Sequence, residues 1–103
     1  MKPRYKRMLE GMKQAPYEGE RTWGIYILRC SDDSLYTGAT NDVGKRLEKH
    51  NAGRGAAYTR TRRPVRLLYS ELGLTRSEAL VREAQIKSLP REKKKALASG
   101  TAQ

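Results

Sequence analysis

The sequence predicts a small α/β domain. Three observations carry that expectation. An apolar, β-branched run with a polar turn in its middle spans Trp23 to Gly38. Two later stretches, Val43 to Asn51 and Thr75 to Lys87, repeat their apolar residues at helical spacing. Between them Val65 to Leu72 reads as one more strand. A chain of 103 residues forms one domain with a modest core, burying roughly 60–65% of its unfolded surface.

The first strand, Trp23 to Cys30, is apolar on both of its alternating faces. Strands buried on both sides read this way, so it is the expected centre of the sheet. The turn then decides where two tyrosines point. A three-residue loop, Ser31-Asp32-Asp33, sets Tyr26 opposite Gly38 and Tyr36 opposite Leu28. Both rings stand on one face, with Asp33 in the left-handed position that Asp tolerates. Gly38 leaves space for the ring of Tyr26. On geometry alone that placement suits two tyrosines that cover a core better than it marks a functional pair.

Before this hairpin, residues 1–21 form a basic arm, either a short helix over Arg4 to Gln14 or a mobile segment that adds phosphate affinity. The domain proper covers residues 22–98, and 99–103 are a tail. After Gly38 the period changes from strand to helix. Thr40 or Asn41 supplies the cap, and Val43, Leu47 and Asn51 make an i, i+4 row. Arg46 and His50 are four apart and share a neighbouring face. Residues 51–64 read as a loop in which Tyr58 stands among Arg54, Arg60, Arg62 and Arg63. Arginines interleaved with an aromatic suit phosphate contact and base stacking.

Thr75-Arg76-Ser77-Glu78 is a capping box that opens the clearest helix of the chain. On it Ala79, Leu80, Glu83, Ile86 and Lys87 fall on one arc. A carboxylate on such an arc needs a reason. Either Glu83 pairs with Lys87 one turn on, or it faces a pocket as a functional acid. Pro90 then opens a short basic helix over Arg91 to Leu97.

The formal net charge of +11 calls for a polyanionic partner, nucleic acid first. No basic helix carries a continuous apolar face for a membrane surface. No apolar run has the length of a signal peptide or a span, so the expected location is cytoplasmic. The single cysteine, Cys30, excludes an intramolecular disulfide and a cysteine zinc cluster and suits a reducing interior.

Gly24-Ile25-Tyr26, Tyr36-Thr37-Gly38, Arg46 on the following helix and Glu83 on a later one, in this order and at these spacings, resemble the GIY-YIG nuclease superfamily. The fuller pattern is similar to its small stand-alone bacterial members. The resemblance implies a three-stranded antiparallel sheet, order 2-1-3, flanked by helices. It implies hydrolysis of DNA phosphodiester bonds with Mg²⁺ or Mn²⁺. Carried over, Glu83 holds the metal, Arg46 stabilises the pentacovalent phosphate, and Tyr26 and Tyr36 contact or activate the attacking water. His50 matches a histidine of some branches, while Lys87 joins the loop residues in binding nucleic acid. Mg²⁺ suits a single carboxylate, because it keeps much of its hydration and takes substrate oxygens. A tyrosine with a free pKa near 10 is a poor base unaided, so Arg46, the metal or His50 must help it. Ala39 stands where several relatives carry a basic residue, and no asparagine follows Glu83; both bear on rate rather than fold. A domain this small does not surround a long site. Branched or flapped DNA shape, or a protein partner, is therefore the expected source of specificity, with a role in repair or recombination. The rival expectation is a basic module for DNA or RNA whose nuclease site is weak.

Overall fold

The structure, a computed structural model, describes residues 20–100, so most of the expected arm and the end of the tail lie outside the described residues. Strands β1 (Trp23–Arg29), β2 (Leu35–Thr40) and β3 (Arg66–Leu74) form one antiparallel sheet in the order β2-β1-β3. Helices α1 (Val43–Asn51), α2 (Ala57–Arg60), α3 (Arg76–Lys87) and α4 (Arg91–Ser99) complete the fold. The expected α/β class and strand order are those observed.

β1 is the buried centre that its double apolar pattern demands. Ile25 and Ile27 point to one face and pack on Ala79 and Ile86 of α3, with Leu97 of α4 alongside. Tyr26, Leu28 and Cys30 point to the other and meet Val65, Tyr36, Val43 and Leu47. The central strand thus serves two small cores, one under α3 and α4 and one under α1.

The hairpin has the anticipated register, with Tyr26 opposite Gly38 and Leu28 opposite Tyr36. Cys30 N–H donates to Ser34 O at 2.9 Å, which closes a loop of Ser31, Asp32 and Asp33. Asp33 takes φ of 73°, the left-handed conformation. Asp32 steadies the loop by accepting from the Ser34 backbone at 3.0 Å.

Four local expectations are corrected. The cap of α1 is Asp42, not Thr40 or Asn41, because its carboxylate reaches Lys45 N–H at 3.0 Å; Thr40 instead accepts from Asp42 N–H. The segment between α1 and β3 is not all loop, since a single turn of helix, α2, lies within it. β3 begins one residue later and ends two residues later than its apolar run suggests, and its pairing with β1 shifts register twice. Those irregularities break the two-residue alternation, so Leu67 and Leu72 are exposed. On α3, Leu80 lies outside the buried stripe of Ala79 and Ile86.

Two polar contacts hold the helices in place. The side-chain amide of Asn51 imitates a strand partner, accepting from Val65 N–H at 2.7 Å and donating to Val65 O at 3.0 Å. This fixes the end of α1 to the start of β3. At the far side Arg82 of α3 grips Glu71 of β3 with two nitrogens, at 2.8 and 2.9 Å, while Tyr69 donates to the same carboxylate at 2.6 Å. α3 itself starts with the expected capping box between Thr75 and Glu78. No helix among the described residues is long and apolar enough to cross a membrane.

Candidate active site

The two tyrosines share one face of the hairpin, their ring centroids 6.4 Å apart. α1 crosses this face and delivers Arg46 and His50 from consecutive turns. His50 is completely buried, and its Nε2 lies 3.0 Å from the Tyr26 hydroxyl. Its Nδ1 lies 2.7 Å from Thr59 Oγ1, and Thr59 is buried as well. The network assigns the proton positions. Thr59 donates its one hydroxyl hydrogen to the carbonyl of Ala56, at 3.0 Å. It can therefore only accept from the ring, so Nδ1 carries the hydrogen, Nε2 is bare, and Tyr26 donates to it.

Electrostatics agree with that assignment. Burial, and secondarily the charge of Arg46, lowers the His50 pKa and keeps the ring neutral. Burial raises the Tyr26 pKa, a shift countered by the hydrogen bond and charge of Arg46 beside the hydroxyl. Tyr26 is thus a protonated phenol that donates its hydrogen to a bare imidazole nitrogen. Two glycines make room for the pair. A methyl on Gly38 would stand 2.5 Å from Cζ of Tyr26, and one on Gly55 would stand 2.7 Å from Cγ of His50.

Tyr36 completes the cluster, with its ring centroid 5.3 Å from His50 and 6.1 Å from Tyr58. Arg62 lies 3.8 Å over the Tyr58 ring, donates to Tyr58 O at 2.8 Å and to Asp32 at 3.0 Å. Tyr58 is thereby packed between Tyr36 and Arg62, so a base that stacks on it must first move the guanidinium. Arg63 donates to the carbonyls of Arg60 and Asn51. Arg54 and Arg60 are exposed, and their guanidinium groups have no acceptor among the described residues.

Glu83 approaches from the opposite face, on α3, together with Lys87. Glu83 Oε2 lies 3.1 Å from Lys87 Nζ, with the glutamate side chain 19% exposed and the lysine 54%. The ion pair anticipated from the spacing is present. The negative charge of Glu83 is also felt at the Tyr26 hydroxyl, which it pushes upward. Lys87 and Tyr36 line one cleft with Thr37. Lys87, the ion-pair partner of Glu83, thus stands with Tyr36 beside β2, an edge strand of the sheet.

No group of three or more metal-binding side chains exists among the described residues. A single carboxylate still fits Mg²⁺, which is commonly held by one or two carboxylates, waters and substrate phosphates. Glu83 Oε1 makes no hydrogen bond to the described residues, which leaves an oxygen for such a cation. Sequence reasoning missed Thr59 and Gly55. Neither belongs to a periodic pattern; the pair Tyr58-Thr59 enters only as part of the family-like run.

A sheet whose hairpin carries two facing tyrosines, followed by an arginine and a histidine on one helix and a carboxylate on a later one, is the architecture of a small nuclease domain. Residues 22–96 match the family described as the GIY-YIG catalytic domain, and the chain belongs to the GIY-YIG family. That family is one of nucleases that act on DNA, generally with divalent metals. A UPF0213 protein of Staphylococcus aureus strain Mu3 is 59% identical over 70 residues, covering 68% of this chain and 85% of that one. Among solved structures, the UPF0213 protein BH0048 of Bacillus halodurans is 44% identical with a TM-score of 0.50, over 78% of this chain and 85% of that one. The E. faecalis protein EF2693 is 38% identical with a TM-score of 0.54, over 80% and 88%.

Proposed function

We propose that the protein is a divalent-metal-dependent endonuclease that hydrolyses phosphodiester bonds in DNA, directed by strand structure rather than sequence, in repair or recombination within the cytoplasm. The observation that carries this reading is the chain Tyr26–His50–Thr59 with Arg46 at its open end. The attacking water gives a proton to Tyr26 Oη as the phenol passes its own to His50 Nε2. The imidazolium so formed keeps its Nδ1–H bond to Thr59. Arg46 presents a permanent charge to the phosphoryl oxygens, where charge builds in the transition state. Glu83 is the residue that would hold the cation, which when bound neutralises charge on the phosphate and leaving oxygen. Tyr36 walls the site and orients the water.

The test is cleavage of radiolabelled duplex, flap and junction DNAs with Mg²⁺, Mn²⁺ or EDTA. Cleavage with metal, none in EDTA, and a preference for flaps or junctions is the expected result. Glu83→Gln should lower the rate by orders of magnitude and leave DNA affinity equal or higher. Its stability should change by less than about 1 kcal/mol, because the pair it breaks is half exposed on the lysine side.

One observation favours a second reading. The carboxylate already has a cation in Lys87, as in a basic binding module whose nuclease site is weak. No cleavage by the wild type on any DNA with either metal, while salt-sensitive DNA binding persists, would establish that reading.

A further inference from the structure

We infer that the cleft crossing the free edge of β2 is a subsite for the phosphate neighbouring the scissile one, with Lys94 and Thr37 as its ligands. The inference rests on the nuclease reading above and says where the strand runs. The cleft holds about 270 Å³ and is lined by Leu35, Tyr36, Thr37, Tyr58, Lys87 and Lys94. Successive residues of a strand point to opposite faces. A cleft that takes Tyr36 from one face and Leu35 and Thr37 from the other must pass over the strand's open side. β2 has that open side, since β1 is its one neighbour in the sheet.

Three features select an anion. Thr37 is only 3% exposed, and its Oγ1 is buried with no hydrogen-bond partner among the described residues. A buried hydroxyl left unpaired is costly, and an acceptor oxygen entering the cleft removes that cost. Two ammonium groups stand at the same cleft. Lys87 spends part of its charge on Glu83, whereas Lys94 of α4 has no acidic partner among the described residues. The lining contains no carboxylate. The apolar wall of Leu35 and Tyr36 suits a deoxyribose. Tyr36 is shared with the tyrosine cluster, so a strand whose scissile phosphate faces Arg46 passes over β2 and brings an adjacent phosphate to Lys94.

Methylphosphonate scanning reads this directly, by removing the charge of one linkage at a time. In the wild type, neutralising one linkage next to the cleaved bond should raise KM about tenfold, the order of one charge-assisted contact, with kcat nearly unchanged. In Lys94→Gln, KM should start about tenfold higher, and the same neutralisation should add nothing. Thr37→Val should weaken the same linkage while its melting temperature holds or rises, because a methyl replaces an unpaired hydroxyl. A methylphosphonate penalty as large in Lys94→Gln as in the wild type overturns the subsite. If the wild type cleaves no DNA, the nuclease reading fails on its own, and the same series is read as binding anisotropy in EDTA. Equal wild-type affinity for native and neutralised linkages would then reject the subsite.

Discussion

At the scale of single residues, the two tyrosines differ in what they hold. The Tyr26 hydroxyl donates to a buried imidazole nitrogen, whereas the Tyr36 hydroxyl has no partner among the described residues. Tyr26→Phe should therefore cost about 1–3 kcal/mol, the penalty of a buried acceptor left unpaired. It should also slow cleavage by about 10²–10⁴, the usual worth of a positioned acid or base. Tyr36→Phe should slow cleavage while its melting temperature stays at the wild-type value. DNA affinity should hardly move in either, which binding isotherms in EDTA would check. His50 adds a pH dependence. Its folded pKa lies below its ordinary 6.5 because it is buried and close to Arg46. The unfolded chain then binds the proton first as pH falls. This histidine contributes stability fully above about pH 6.5 and loses it on acidification. The carboxylates of Asp32, Asp33, Glu71 and Glu78 are held below their ordinary values of 3.8 and 4.5. Their losses begin only at lower pH. Melting temperatures between pH 8 and 5 should thus fall in the wild type and fall less in His50→Gln.

At the scale of elements, the hairpin explains why so much of the site was legible. Strand alternation, an odd loop and one tolerant Asp determine that both tyrosines face α1, and helical spacing puts Arg46 and His50 there too. The capping box of α3 was equally readable, because it is a contact between neighbours in sequence. What escaped depends on long-range encounters. Thr59 reaches His50 through an unpatterned turn, and Asn51 imitates a strand rather than closing an apolar row. β3 misled because its bulges spoil the alternation by which strands are recognised. The helix spacing likewise left open which face of the sheet Glu83 serves. Gly38 shows how tightly the hairpin is tuned. Gly38→Ala would press a methyl into the Tyr26 ring, an overpacking worth about 1–3 kcal/mol. It should lower the melting temperature and abolish most cleavage together, because the ring cannot yield without leaving His50.

At the scale of the whole molecule, charge and architecture act together. Much of the acidic complement is already engaged, in the pairs Asp32–Arg62, Asp33–Arg29, Glu71–Arg82, Glu78–Arg21 and Glu83–Lys87. The net charge of +11 is therefore expressed by residues such as Arg54, Arg60 and Lys94, which have no such partner among the described residues. If about five phosphates are contacted, the logarithm of duplex affinity should fall against the logarithm of salt with a slope of about −4 to −5. A salt-independent affinity would contradict the electrostatic mode.

The open edge of β2 carries one more consequence. An uncovered strand edge invites pairing with the edge of another molecule, and proteins commonly guard such edges with lysine. Here Lys87 and Lys94 stand at that edge, and Lys94 is also the side chain proposed above to take a phosphate. On that proposal, solubility and substrate capture share a charge. A variant stripped of both lysines to weaken DNA binding would also lose its protection against stacking edge to edge into aggregates.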